Sequence, residues 1–278
     1  MNFRIGTTGV FGFPVDENPG IVMYEAGYQA VGLNWRFQSF EVRPENLEAA
    51  LAGMRAMQFE GLNLTIPHKI EAIKYMDELT PSARLIGAIN TVIRREDRLI
   101  GENTDGKGFV IGMQKSGVSL EGKSLVVLGA GGASRAICVE CALAGASSLT
   151  IINRTQSKGM ELADMIGQNT ECASDFIEWK SGVPIPPCDI LINATNIGLY
   201  PDTNKPDIDY ADIRQGMIVQ DIIPNPAQTP FLREAKKRGA RTFDGLQMLV
   251  YQGILAAKAW SGKELPSDVM IRALREVL

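Results

Sequence analysis

Ser124-Leu125-Val126-Val127-Leu128 runs directly into Gly129-Ala130-Gly131-Gly132-Ala133-Ser134, and an apolar stretch from Ala136 to Leu143 follows. A short unbroken apolar run bounded by glycine reads as a strand buried on both faces. The glycines allow a tight turn that brings bare backbone close to a ligand, and the next helix aims its free N–H groups at an anion. Ser148 to Asn153 supplies a second strand at the spacing of a crossover unit. Gln156 to Ile166 reads as a helix, and Asp189 to Asn193 and Met217 to Asp221 as two further strands. Few architectures accept this order, so this half of the chain is expected to be a doubly wound, Rossmann-type α/β unit. The third glycine of the usual fingerprint is Ser134, a variant of the pattern. Glycine turns also serve plain strand–helix packing. The strand before and the helix after favour a ligand, with Gly129, Ala130, Gly131, Gly132 and Ala133 as its backbone contacts.

The end of the second strand selects between the nicotinamide dinucleotides. NAD enzymes tend to place a carboxylate there for the ribose hydroxyls. This chain has Asn153-Arg154-Thr155, with Lys158 one step on. Arg154 suits a 2'-phosphate in planar, charge-assisted geometry, Thr155 offers a hydroxyl and Lys158 adds charge. NADP is therefore the expected cofactor, with NAD as a secondary one. In the competing reading Arg154 stacks on adenine and tolerates either.

Residues 1–104 alternate strand-like and helix-like stretches in a second α/β layout. Phe3 to Gly6 is expected to open a strand, and Thr7 to Pro14 to be a glycine-rich extended segment. Helices are expected over Ile21 to Val31 and Pro44 to Met57, a strand over Trp35 to Val42, and a turn at Thr80-Pro81. Within Gly61 to Lys69, alternating Leu62, Leu64 and Ile66 read as a strand with one buried face. Pro67 then starts a helix running from Lys69 to Met76. An ammonium in a first helical turn is disfavoured by the dipole, which suits proton transfer to and from an alcohol oxygen. A solvated surface lysine is the plain alternative. Ala88 to Arg94 reads as a strand whose edge carries Asn90 and Thr91. Asp105 precedes the helix from Gly106 to Lys115, where it could simply cap it. The last helices, Leu246 to Trp260 and Ser267 to Val277, are expected to pack back across the first unit. The expected division is 1–104 with 244–278, and 105–243.

Net charge of -4 and pI near 5.3 leave no electrostatic footprint for nucleic acid or a membrane surface. The N-terminus shows no signal-peptide pattern, and no apolar stretch reaches the ~20 residues of a bilayer span, so a cytoplasmic protein is expected. A single histidine, His68, excludes a histidine-rich metal site, and no metal is expected. Cys138 and Cys141 form a Cys-x-x-Cys inside an apolar helix without a second ligand pair. They read as reduced packing residues, with a redox pair as the alternative.

Asn63-Leu64-Thr65-Ile66-Pro67-His68-Lys69, Gly87-Ala88-Ile89-Asn90-Thr91-Val92 and Asn103-Thr104-Asp105-Gly106 together resemble the shikimate dehydrogenase family. The resemblance extends through Gly129 to Ala133, Asn153-Arg154-Thr155, Asn193-Ala194-Thr195, Asp244-Gly245-Leu246 and Met248 to Gln252. It implies an N-terminal substrate domain, a C-terminal NADP domain and a groove holding both ligands. It also implies Lys69 and Asp105 as the catalytic pair. Thr65, Asn90 and Gln252 would contact substrate hydroxyls, and Thr195, Ile222 and Gly245 would lie at the cofactor. The implied reaction is reversible reduction of 3-dehydroshikimate or a related cyclic polyol ketone, with shikimate, quinate or aminoshikimate as the alcohol. A monomer or homodimer is expected.

Two departures bear on the substrate. Family members usually carry a His-Ser-x-Ser-Pro-like segment whose serines grip the substrate carboxylate. Here those serines become Asn18 and Gly20, with Asp16 and Glu17 beside them; Asn18 alone could still contact substrate. The usual tyrosine of an Asp-x-x-Tyr-Asn-Pro segment is Pro224. Each hydrogen bond lost to a charged group costs ~1.5–3 kcal/mol. Two such losses weaken binding by roughly two to four powers of ten. A dinucleotide-binding sensor without turnover is the rival reading. The altered segment favours it, and the intact Lys69 and Asp105 oppose it.

Overall fold

The computed structural model describes residues 3–16 and 18–278, so Met1, Asn2 and the charge expected of Glu17 lie outside the described residues. The chain divides into two compact units, residues 1–108 with 250–277 and residues 109–249 with 278. It is an α/β protein with two six-stranded sheets. Among the described residues no helix is long and apolar enough to cross a membrane.

The first unit is built on strands β1 (Gly6–Gly12), β2 (Trp35–Glu41), β3 (Gly61–Leu64), β4 (Glu78–Leu79), β5 (Thr91–Arg95) and β6 (Arg98–Glu102). Its helices are α1 (Gly20–Ala30), α2 (Leu47–Ala56), α3 (His68–Glu71) and α4 (Pro81–Ile86). The sheet order is β2-β1-β3-β5-β6-β4, with β5 antiparallel to both β3 and β6. The expected first strand is displaced: Phe3 is 85% exposed, and the segment from Thr7 to Gly12 forms β1. Parallel partners on both sides, β2 and β3, hold this glycine-rich segment in the sheet.

All four residues of β3 are buried, so the strand is covered on both faces, whereas Ile66 lies beyond it and is 71% exposed. The helix expected from Lys69 is a single α turn, α3, passing into a 3-10 turn at Ala72–Tyr75. The expected turn at Thr80-Pro81 starts α4, with Thr80 Oγ1 accepting from Ala83 N–H. A core of Leu47, Leu51 and Met54 from α2 packs with Leu62, Leu64, Val92 and Leu99. The last helix of the chain packs on α1, and Trp260 donates its indole N–H to the Val92 carbonyl.

The second unit has β7 (Ser124–Leu128), β8 (Ser148–Asn153), β9 (Ala173–Glu178), β10 (Ile190–Asn193), β11 (Ile218–Asp221) and β12 (Arg241–Phe243). Its helices are α5 (Asp105–Lys115), α6 (Gly132–Leu143), α7 (Gln156–Asn169) and α8 (Pro230–Lys237), while most of α9 (Leu246–Ser261) and all of α10 (Ser267–Arg275) belong to the first unit. The all-parallel order β12-β11-β10-β7-β8-β9 reverses direction between β7 and β10. In such sheets the ligand crevice opens at that switch point, beyond the carboxyl ends of the strands. Leu125, Val127, Ile151 and Ile192 form one face of the core and Val126, Leu128, Ile152 and Leu191 the other. Both faces are buried, so these strands read as unbroken apolar runs.

Candidate active site

In the first unit, strand direction gathers the polar groups. Because β5 is antiparallel to β3, its start at Asn90-Thr91 lies beside the end of β3, where Asn63 pairs with Thr91. β6 returns to the same edge, and Thr91 pairs with Glu102. The chain then leaves through Asn103, Thr104 and Asp105. Lys69 follows β3 by one short turn, and its Nζ lies 2.6 Å from Asp105 Oδ2. The other carboxylate oxygen accepts from Asn90 Nδ2 at 2.8 Å. Both oxygens of Asp105 are thus committed away from a capping role. Asn103 Oδ1 receives the Asp105 N–H instead.

Asn90 is clamped from several sides. Its Oδ1 accepts from Thr104 N–H and from the Thr91 and Thr104 hydroxyls, and its Nδ2 reaches Gln252 Oε1 at 3.3 Å. Asn90 and Gln252, 162 residues apart in sequence, therefore meet in one cluster with Lys69 and Asp105. A second row lies beneath. Asn63 donates to Asn90 O and Thr91 Oγ1, and its own Oδ1 receives the Tyr24 hydroxyl. Asn63, Thr91 and Thr104 are buried positioning groups, and the sequence reading placed Thr91 on a strand edge and the other two in family motifs without giving either a role. A polar Asn63 in the middle of a strand with apolar neighbours was a further sequence signal.

Thr65 stands at the same edge, and a Cβ added to Gly12 would collide with its Cγ2. His68 is buried, its Nε2 2.8 Å from the Val42 carbonyl, which ties α3 to the end of β2. Among the described residues Asn18 makes no hydrogen bond to this cluster. Its Oδ1 accepts the Gly20 N–H at 2.9 Å, and a Cβ on Gly20 would come within 2.8 Å of that same oxygen.

In the second unit the glycine turn sits at the switch point. Gly129 has φ +106 and lies against Thr195, whose Cγ2 would be 3.0 Å from an added Cβ. Gly131 and Gly132 face open space, where an added Cβ would meet nothing within 4 Å. That bare backbone at the start of α6 is the cradle a pyrophosphate needs. Ser134 is buried and donates its hydroxyl to the Gly129 carbonyl at 2.5 Å, so the residue at the third glycine position braces the turn. At the end of β8, Arg154, Thr155 and Lys158 are exposed, and neither cation is in an ion pair among the described residues. Thr155 is the N-cap residue of α7 but its side chain makes no capping hydrogen bond. Asn153 Nδ2 donates to the Thr155 carbonyl and shapes this corner. Ile222 and Gly245 are packed so closely that a Cβ added to Gly245 would collide with the Ile222 carbonyl oxygen. Cys138 and Cys141 lie buried in α6 as free thiols, and burial pushes the Cys138 thiol up to about 12.

Three families of domain match the chain in succession. The shikimate dehydrogenase substrate-binding domain covers residues 10–92, the shikimate/quinate 5-dehydrogenase domain 112–222 and the shikimate 5'-dehydrogenase C-terminal domain 245–275. A shikimate dehydrogenase (NADP(+)) of Desulforamulus reducens is 40% identical over 99% of this chain and 97% of its own. The chain belongs to the shikimate dehydrogenase family. Among solved structures, a ligand-free 5-ketofructose reductase of Gluconobacter sp. strain CHM43 matches with TM-score 0.94 and 44% identity over 100% of both chains. A Thermus thermophilus shikimate 5-dehydrogenase in complex with NADP(H) and shikimate matches with TM-score 0.88 and 32% identity over 99% of this chain and 100% of that one.

In this shikimate dehydrogenase family member the turn before α1 is closed by Asn18. Asn18 spends its carboxamide oxygen on its own backbone, and Gly20 packs against that oxygen and the Phe37 ring. A side chain at position 20 would require the Asn18 carboxamide to move aside.

Proposed function

We propose that Lys69 and Asp105 carry out reversible hydride-transfer chemistry on a polyhydroxylated ketone and its alcohol. The protein is an NADP-dependent dehydrogenase of the shikimate dehydrogenase type, acting on a CH–OH group. The observation that carries the residue assignment is the 2.6 Å Lys69–Asp105 contact, with Asn90 on the second carboxylate oxygen. NADPH supplies the hydride when bound. Lys69 gives a proton to the ketone oxygen in reduction and recovers it from the alcohol in oxidation. Asp105 fixes the ammonium in direction and can accept from a neighbouring substrate hydroxyl. Thr65, Asn90 and Gln252 hold the ring hydroxyls, so the reacting carbon is oriented rather than diffusing.

Gly129 to Ala133 hold the pyrophosphate, and Asn153, Arg154, Thr155 and Lys158 take the adenosine 2'-phosphate. Thr195, Ile222 and Gly245 border the nicotinamide half. Residues 1–104 with 244–278 form the substrate part in this reading, and 105–243 the NADP part. The partner is a small cyclic hydroxy compound rather than nucleic acid or membrane, and the enzyme is cytoplasmic, as a monomer or homodimer.

The substrate is 3-dehydroshikimate or a closely related polyol ketone. A second reading, a ketone without a carboxylate, is favoured by Gly20 and Pro224, which offer no hydroxyl where the family pattern has serine and tyrosine. It also draws on the 44% identity to a protein named for 5-ketofructose, a polyhydroxylated ketone with no acid group. The test is NADPH oxidation on 3-dehydroshikimate and 5-ketofructose in parallel. Turnover of 3-dehydroshikimate is the expected result, and a preference for the neutral ketone in kcat/KM would favour the second reading. Efficient turnover of 3-dehydroshikimate would mean that backbone donors near Asn18 replace the serines. Asn18→Ser is expected to improve KM for the acid.

A further inference from the structure

Asp221 ends β11 with no exposed surface, and three segments converge on its carboxylate. Asn193 Nδ2 and the Ile223 N–H donate to Oδ1 at 3.1 and 3.2 Å, and the Thr229 hydroxyl donates to Oδ2 at 2.7 Å. Asn193 passes the restraint on. Its Oδ1 accepts from Thr195 N–H and Thr195 Oγ1, and its backbone carbonyl accepts from Ile222 N–H. Thr195 in turn lies over Gly129. The buried carboxylate is thus the common anchor of the Thr195 turn, the Ile222–Ile223 loop and the start of α8.

We propose that Asp221 is a positioning residue for the dinucleotide, holding Thr195 and Ile222 against the glycine turn through the charge-assisted hydrogen bonds of its buried carboxylate. This rests on the reading that Thr195 and Ile222 border the cofactor. A buried carboxylate is costly to keep ionised, and burial pushes this one up to about 6. The titratable groups that face it are Asp244 and the Tyr210 phenol; Asp244 raises it further, while the donors from Thr229, Ile223 and Asn193 oppose the rise. The folded-state value lies above the ordinary carboxyl value. Between roughly pH 4 and 6 the folded protein therefore holds a proton that the unfolded chain has released, and ionisation on raising the pH lowers stability. The fold tolerates that loss, and the ionised group anchors the cofactor loops more firmly than a neutral one.

Asp221→Asn keeps the shape and removes the charge. NADPH titrations followed by nicotinamide fluorescence, on wild type, Asp221→Asn and Arg154→Ala from pH 5.5 to 8, test the proposal. At pH 8 the variant is expected to bind roughly tenfold more weakly than wild type. The ratio of the two dissociation constants, in which titration of the 2'-phosphate cancels, is expected to fall toward one as the pH drops through about 6. In the same samples Tm of Asp221→Asn is expected to exceed wild type at pH 8, with the gap closing toward pH 5. Unchanged NADPH affinity in Asp221→Asn, with Arg154→Ala weakened, overturns the proposal and leaves the cofactor reading standing. Both variants binding like wild type overturns both. A lowered Tm with a pH-independent ratio reduces Asp221 to a structural role and also overturns it.

Discussion

Lys69→Ala is expected to lower kcat by about two to four powers of ten, the usual contribution of a positioned general acid–base group. NADPH affinity is expected to stay within about twofold, because the proposed cofactor contacts, from Gly129 to Gly245, do not include Lys69. The geometry makes the variant selective. Asp105 retains its bond from Asn90 Nδ2, and Asn90 retains the Thr91 and Thr104 hydroxyls, so the carboxylate remains held after the ammonium is gone. Initial rates at saturating NADPH, with parallel binding titrations, separate the two quantities. Full activity in Lys69→Ala would remove the lysine from the chemistry. Cofactor binding by wild type with no turnover of any polyol ketone would revive the sensor reading.

Gly108→Ala is expected to damage the same site without touching a polar group. An added Cβ at Gly108 would lie 2.5 Å from Gln252 N and 2.8 Å from Gln252 Cα, both backbone atoms that cannot rotate away. Alanine favours a helix by about 1 kcal/mol over glycine, yet the forced shift of α9 costs typically ~1–3 kcal/mol. It also draws Gln252 Oε1 off Asn90 Nδ2. Tm is expected to fall by several degrees and KM for the ketone to rise, with NADPH affinity unaffected. Gly53→Ala, in α2, is the control: its Cβ would meet only Met57 Cε at an ordinary 3.6 Å. There the propensity term stands alone, and Tm is expected to hold or rise.

These two glycines look alike in the sequence, each inside a helical pattern. Only the neighbour across the helix separates them. The same division runs through the candidate active site. Lys69, Asp105 and Asn90 were legible as candidates from their residue types and flanking turns, and Gln252 through the family resemblance alone. The contacts that hold them from below were not. Asn63, Thr91 and Thr104 are ordinary strand and turn residues until the antiparallel return of β5 stacks them into one buried network. That return was itself hidden, since β5 and β6 are joined through Glu96-Asp97, which carries no glycine or asparagine, with Glu96 held at φ 53.

By itself the sequence determined the nucleotide-binding half: β7 and β8 span Ser124–Leu128 and Ser148–Asn153 as read, and α6 follows the glycine turn. Strands buried on both faces must be apolar throughout, and a turn that admits phosphate must be bare of side chains, so both requirements are written locally. Edge strands such as β9 and β12 carry no such requirement and emerged only from pairing with β8 and β11. Tertiary structure alone decided that Asn18 turns its oxygen to its own chain, and that Asp221 gathers three segments about one buried charge. The reason is common to both. A side chain's type is a local fact, whereas its hydrogen-bond partner is chosen among groups that only the folded chain brings within about 3 Å.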